Sequence, residues 1–182
     1  MTAPPNLAGA RTGVPVNQPL WQALCKKMKI ELQEDIRDIF AIFHDGGISC
    51  AKRKTHALVL EIEIQYLAER VQSGFSVFTV VLNGFRNAEF TTWPHDAEMA
   101  PEKITDISRI FEPELEILKS SNKDNGIRVI CNQHSGDYDY CGGELFFVAD
   151  TAEVYDESKK LYSIDELDTI CKGYWDEWAG KA

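Results

Sequence analysis

FSVFTVVLNGFRNAEFTTW, residues 75–93, sets two runs of strand-forming residues on either side of Asn83-Gly84. Asn-Gly between such runs is the leading two-residue hairpin signal, because both central positions of a type I′ turn need positive φ. The pattern predicts FSVFTVVL (75–82) and FRNAEFTTW (85–93) as paired strands, with Pro94 ending the second. Apolar residues on both faces of the first arm predict a central strand.

Working outward, ALVLEIEIQYL (57–67) alternates. Leu58, Leu60, Ile62, Ile64 and Tyr66 fall on one face, and Glu61, Glu63 and Gln65 on the other, which predicts a half-buried strand. A helical stripe through Leu60, Ile64, Leu67 and Val71 competes with it. Further on, Asp124-Asn125-Gly126 predicts a turn, followed by strands at IRVIC (127–131) and ELFFVA (144–149).

Three helices are expected around these strands. Asn17 can cap the first and Pro19 sits in its opening turn. Trp21, Leu24, Cys25, Met28, Leu32, Ile36, Ile39, Phe40 and Phe43 make one long apolar stripe, stopped by Gly46-Gly47. Residues 101–120 predict a second helix, with Ile104, Ile107, Ile110 and Phe111 inward and Pro113 kinking it or dividing it in two. Ser163-Ile164-Asp165-Glu166 is a capping box that opens a third. Its stripe of Ile164, Leu167, Cys171, Tyr174, Trp175 and Trp178 is expected to pack on the sheet. The resulting class is α+β: a mixed or antiparallel sheet of about five strands built around the Asn-Gly hairpin, with three main helices packed on it. No repeat of 20 to 50 residues is evident.

The 182 residues suit one globular domain at 18–182, preceded by a flexible Pro/Gly/Ala tail at 1–17. That tail lacks the basic and apolar regions of a secretory signal, and no apolar run approaches the ~20 residues that span a bilayer. Five scattered cysteines fit reduced thiols better than a disulfide framework. A cytoplasmic location without membrane association follows as an expectation. The net charge is −10, concentrated in 137–182, where twelve carboxylates face four lysines. Such a field disfavours nucleic acid and favours a protein partner with a basic surface. Lys26-Lys27 and Lys52-Arg53-Lys54 are short patches, not a nucleic-acid groove.

CNQHSGDYDYCGGELFFV (131–148) concentrates the residues of chemical interest. Cys131, His134 and Cys141 are weak candidates for a metal, since the paired spacing of a zinc finger is missing. The same three could anchor a small enzyme or ligand-binding site, but an acidic setting opposes the formation of a thiolate. GxSxG, GxxxxGK[ST] and HExxH do not occur, no catalytic residue is identified, and no cofactor is expected. Acidic DYDY supplies a different chemistry. Tyr138 and Tyr140 offer contact area with few rotatable bonds, and Asp137 and Asp139 would steer a basic partner. Asp156 and Glu157 are expected to extend that surface. In size, acidity and lack of a catalytic signature, the chain is similar to bacterial toxin-neutralising immunity proteins. That similarity is one of profile and not of motif. The expectation is an inhibitor, antitoxin-like, that occludes a basic surface; a nucleic-acid mimic would share its acidity.

Overall fold

A computed structural model describes residues 29–180. The tail at 1–17 and the expected start of the first helix, through Met28, lie outside the described residues. The strands are β1 (Gly47–Lys54), β2 (Ala57–Glu63), β3 (Val77–Asn83), β4 (Arg86–Pro94), β5 (Lys103–Ile104), β6 (Leu115–Lys123), β7 (Gly126–Asn132), β8 (Tyr140–Val148), β9 (Thr151–Tyr155) and β10 (Leu161–Tyr162). The described helices are α1 (Gln33–Ile42), α2 (Gln65–Val71), the single turn α3 (Ile107–Ile110) and α4 (Ile164–Gly180).

All ten strands form one antiparallel sheet in the order β10-β9-β3-β2-β1-β6-β7-β8-β4-β5. This corrects the expected five-stranded sheet with three helices. It also removes the hairpin on which that sheet was built, because β3 and β4 do not pair. β3 lies between β2 and β9, while β4 lies between β8 and β5. Gly84 does take a left-handed conformation, with φ 64°, but it turns a corner rather than closing a hairpin. A Cβ at Gly84 would also run into the Asp150 side chain. The corner is fixed by Arg86, whose Nη1 donates to Gly84 O and to Asp150 Oδ1, both at 2.7 Å.

A second corner lies beside the first. Only Ala149 and Asp150 separate β8 from β9. The register continues from Asn83↔Thr151 to Arg86↔Val148, so β3–β4 and β9–β8 form one bent two-stranded ribbon. Three Cα steps reach at most about 11 Å. The sheet therefore curls until the ends of β3 and β8 meet, giving a barrel-like wall.

The wall is a duplicated unit. Exchange β1–β5 for β6–β10 and the strand order reads the same from the opposite end. The registers agree: Leu58↔Leu82 in the first unit corresponds to Ile127↔Phe147 in the second. Both first strands carry a bulge, between Ile48 and Cys50 and between Ile117 and Lys119. The Gly47↔Glu116 pair marks the pseudo-two-fold axis.

Inward positions of both units form a continuous core, including Leu58, Leu60 and Ile62 and their counterparts Ile127, Val129 and Cys131. α1 lies against this core with Ile36, Ile39, Phe40 and Phe43 fully buried, Phe40 meeting Phe147 edge-on at 5.5 Å. The stripe through Phe43 is thus as expected, but the helix begins only at Gln33. Ile30 is instead bridged to Ala152 of β9.

Three further expectations change. Residues 57–67 are strand only to Glu63; the competing helical stripe takes over as α2. Residues 101–120 hold β5, α3 and β6 rather than a helix, because beyond Pro113 Leu115 and Ile117 alternate inward. The closing capping box is present, with Ser163 N donating to Glu166 Oε2 at 2.9 Å and Glu166 N to Ser163 Oγ at 3.3 Å. The tryptophans of α4 are not covered by the sheet: Trp175 is 42% and Trp178 61% exposed. The helix passes α1 and then runs along α2, where Tyr174 meets Tyr66 at 4.5 Å.

Candidate functional site

The β7–β8 connection, residues 133–139, is built on one buried amide. Gln133 donates through Nε2 to Tyr140 O and accepts the Ser135 amide at 2.8 Å. Its backbone N–H donates to Cys141 O at 3.0 Å. Asp137 N then donates to Ser135 Oγ at 3.2 Å, closing a small turn. On the neighbouring side His95 N donates to Asp139 O at 3.1 Å, which ties the loop to the β4–β5 connection. Four hydrogen bonds within residues 133–141 and one from His95 leave this loop little freedom.

The aromatics of DYDY fold partly inward. Tyr140 is buried against Phe90 at 6.0 Å, and Tyr138 lies half-buried over Tyr140 at 5.5 Å. Asp137 and Asp139 alternate with them and stay exposed, as strand-like alternation requires. Burial raises the Tyr138 hydroxyl above its ordinary value, with Glu112 and Asp137 adding to the effect. Burial, Tyr138, Glu102 and Glu112 raise Tyr140 in the same direction, opposed by Arg109. These influences draw Glu102 and Glu112 into the same neighbourhood. Sequence reasoning missed both, since nothing local in 101–114 links them to residue 138.

Beside the loop, Glu114, Glu116, His134 and Ser135 line a cleft of about 250 Å³. His134 Nε2 lies 2.9 Å from Glu116 Oε2. The histidine is thus engaged by a carboxylate and does not face a thiol. Cys131 points into the core, and burial pushes its thiol up to about 12. Cys141 is exposed on the other face of the wall, with Sγ 3.5 Å from Trp93 O. The sequence set Cys131, His134 and Cys141 is therefore divided between two faces. Among the described residues no group of three or more His, Cys, Asp or Glu side chains is arranged to hold a metal.

Asp156 and Glu157 sit at the other end of the β8–β9 arm. Asp156 is 2% exposed and accepts from Tyr162 Oη at 2.9 Å, Ser158 Oγ at 2.7 Å and Lys160 N at 3.0 Å. Burial alone would raise its carboxyl, but these hydrogen bonds outweigh burial and hold it below its ordinary value. Glu157 Oε1 accepts the amides of Ser76 and Val77, at 2.6 and 3.0 Å, which lowers its carboxyl in turn. Asp156 is a structural acceptor and Glu157 fastens the start of β3. Of the six expected contact residues, Asp137, Tyr138 and Asp139 remain grouped and accessible. The carboxylates beside them are Glu102, Glu112 and Glu114.

No protein-family model, curated protein or solved structure matches the chain. No described helix is long and apolar enough to cross a membrane.

Proposed function

We propose that the chain is a protein-binding module that neutralises or escorts a partner by covering a basic surface, in the manner of an immunity protein or antitoxin. The observation that carries this reading is the fixed loop at 133–139. It holds Asp137 and Asp139 outward on a scaffold anchored by buried Gln133 and packed on the aromatic pair Tyr138–Tyr140. A loop ordered before contact avoids the cost of immobilising side chains on binding, about 0.5–1.5 kcal/mol for each mobile one. Exposed carboxylates around it raise the association rate of a cationic partner and make that rate fall with salt.

The test is capture from source-cell lysate on tagged protein at low and moderate salt, followed by association kinetics with the purified partner. A basic, stoichiometric partner whose association is slowed tenfold or more (about 1.4 kcal/mol in the association barrier) by Asp137→Lys with Asp139→Lys supports the reading. Association kinetics unchanged by the double substitution would remove the loop from it.

A further inference from the structure

The two units of the duplicated wall are not treated alike beside their first strands. β1 pairs with β2 along its length but with β6 only at Gly47 and Ile48, on the axis. Beyond the bulge, residues 49–54 turn one backbone edge away from any other described strand. β6 has the equivalent edge at residues 118–123. The helix that precedes each unit should run beside the other unit's edge. α1 does so for the second unit: Gln33 Nε2 donates to Gly126 O at 2.6 Å, and Ser120 Oγ donates to Arg37 O at 2.8 Å. Its counterpart α3 is a single turn that packs on β4. Among the described residues no strand pairs with this flank of β1, and Lys52, Arg53 and Lys54 are all exposed there.

An open strand edge presents alternating amide and carbonyl groups, which only another polypeptide backbone can match. Its side chains decide which one. Two copies of this edge paired antiparallel would set Lys-Arg-Lys against Lys-Arg-Lys, a repulsive arrangement, so a second copy of the chain is disfavoured. Nucleic acid offers charge but no ladder. In a chain of net charge −10, three consecutive cations on a free edge suit an acidic strand.

We propose that the free edge of β1, Ser49–Lys54, is a binding site for an acidic, extended polypeptide segment, taken up by strand addition. Arg53 stands over the Phe85 ring at 5.7 Å, which braces its guanidinium on the inner side of the wall, while Lys52 lies on the outer side beside Glu61 at 3.6 Å. Successive cations thus reach opposite faces, as an added strand with carboxylates on both faces requires. This site is independent of the acidic loop and would hold a different partner or another segment of the same one.

The experiment is residue-resolved amide exchange on the full chain, with an N-acetylated decapeptide of alternating glutamate and valine at low salt. A lysine–valine decapeptide serves as the control. The expected result is protection by about tenfold or more at alternate amides within residues 49–54, with the acidic peptide only. The variant carrying K52E, R53E and K54E should lose this response and acquire one to the lysine peptide. No protection at saturating peptide, protection located elsewhere, or an undiminished response in the triple variant would each overturn the proposal. So would protection already present without peptide that disappears when residues 1–28 are removed, since the edge then belongs to the chain itself. A dimer in sedimentation that pairs through this edge would overturn it as well.

Discussion

The two five-stranded units share a framework and differ in what they hang on it. Between β2 and β3 the first unit places helix α2, overlaid by α4, whose Glu177 is clasped by Arg70. Between β7 and β8 the second unit places a short loop with two outward carboxylates and, among the described residues, no helix of its own. The wall is thus what the two halves share, and the connections are where they differ. One connection is covered, and its counterpart is presented to solvent.

The strongest way to break the comparison is at Phe78 and its counterpart Gly143, opposite Ile62 and Cys131 respectively. Phe78 is buried, stacks on Phe43 at 5.1 Å and meets Tyr162 at 6.1 Å. At Gly143 the space is taken from the other side, since an added Cβ would run into Thr91 O and lie 2.7 Å from the Phe90 ring. Phe78→Ala should cost about 3–5 kcal/mol through the cavity it leaves. Gly143→Ala should cost about 1–3 kcal/mol through overpacking. Urea unfolding of both variants measures the two. Equal, small losses would mean that the halves are not packed as described.

A second contrast lies at Thr92 and Asp156, buried polar residues at the ends of β4 and β9. Each accepts a backbone amide from the start of the next segment: Thr92 Oγ1 from Glu102 N at 2.9 Å, and Asp156 Oδ1 from Lys160 N at 3.0 Å. Only the second is ionised. Asp156→Ala should cost about 2–3 kcal/mol at neutral pH, and Thr92→Val about 1 kcal/mol. The folded carboxyl of Asp156 is held below its ordinary 3.8. Its contribution is therefore fully present above that value and is lost as pH falls through the lower folded one. Acid unfolding should flatten below pH 3.8 in Asp156→Ala relative to the parent and keep its shape in Thr92→Val. An unchanged acid limb in Asp156→Ala would show that the carboxylate is not what these hydrogen bonds stabilise.

The capping of α4 gives a smaller effect. Ser163→Ala removes the acceptor for Glu166 N and should cost about 1 kcal/mol. The short helix α3, by contrast, is one turn capped by Asp106, which accepts Arg109 N at 3.0 Å. Loss of that cap should alter only the local exchange of Ile110 and its neighbours. Global destabilisation from Asp106→Ala equal to that from Ser163→Ala would contradict the difference in helix length.

The parts of this architecture that were legible in the sequence are those fixed by neighbours along the chain. The alternation of 57–63, the turn at Asp124-Asn125-Gly126, the stripe of Ile36 to Phe43 and the box at Ser163 all fall here. What misled was pairing. Asn83-Gly84 carries the local signature of a hairpin, but both edges of β3 are claimed, one by the preceding strand β2 and the other by β9, which is distant in sequence. β1 was hidden because its bulge breaks the alternation and its end is Lys-Arg-Lys; β6 was hidden by a polar second half. The duplication left no readable repeat because counterparts keep burial and not identity: Ile62 answers to Cys131, Leu82 to Phe147 and Phe78 to Gly143. At the candidate site, DYDY was legible as acidic and aromatic. The separation of Asp156 and the arrival of Glu102 and Glu112 depend on how the sheet curls.

The last contrast asks whether the open connection is free of structural duty. Asp137 and Asp139 point away from the core, and among the described residues their side chains bond nothing beyond the loop itself, where Asp137 Oδ2 lies 3.2 Å from Ser135 Oγ. Their backbone groups hold the turn and are untouched by substitution. Asp137→Lys with Asp139→Lys should therefore leave the unfolding free energy within about 0.5 kcal/mol of the parent. Gln133→Leu, at the base of the same loop, should lower it by about 1–3 kcal/mol, because the buried Tyr140 carbonyl and the part-buried Ser135 amide lose their partners together. A stability loss in the lysine variant comparable to that in Gln133→Leu would make the carboxylates part of the scaffold. A negligible loss leaves two charges displayed at no structural benefit on a loop that is otherwise fixed, which is how a surface kept for a partner differs from one kept for the fold.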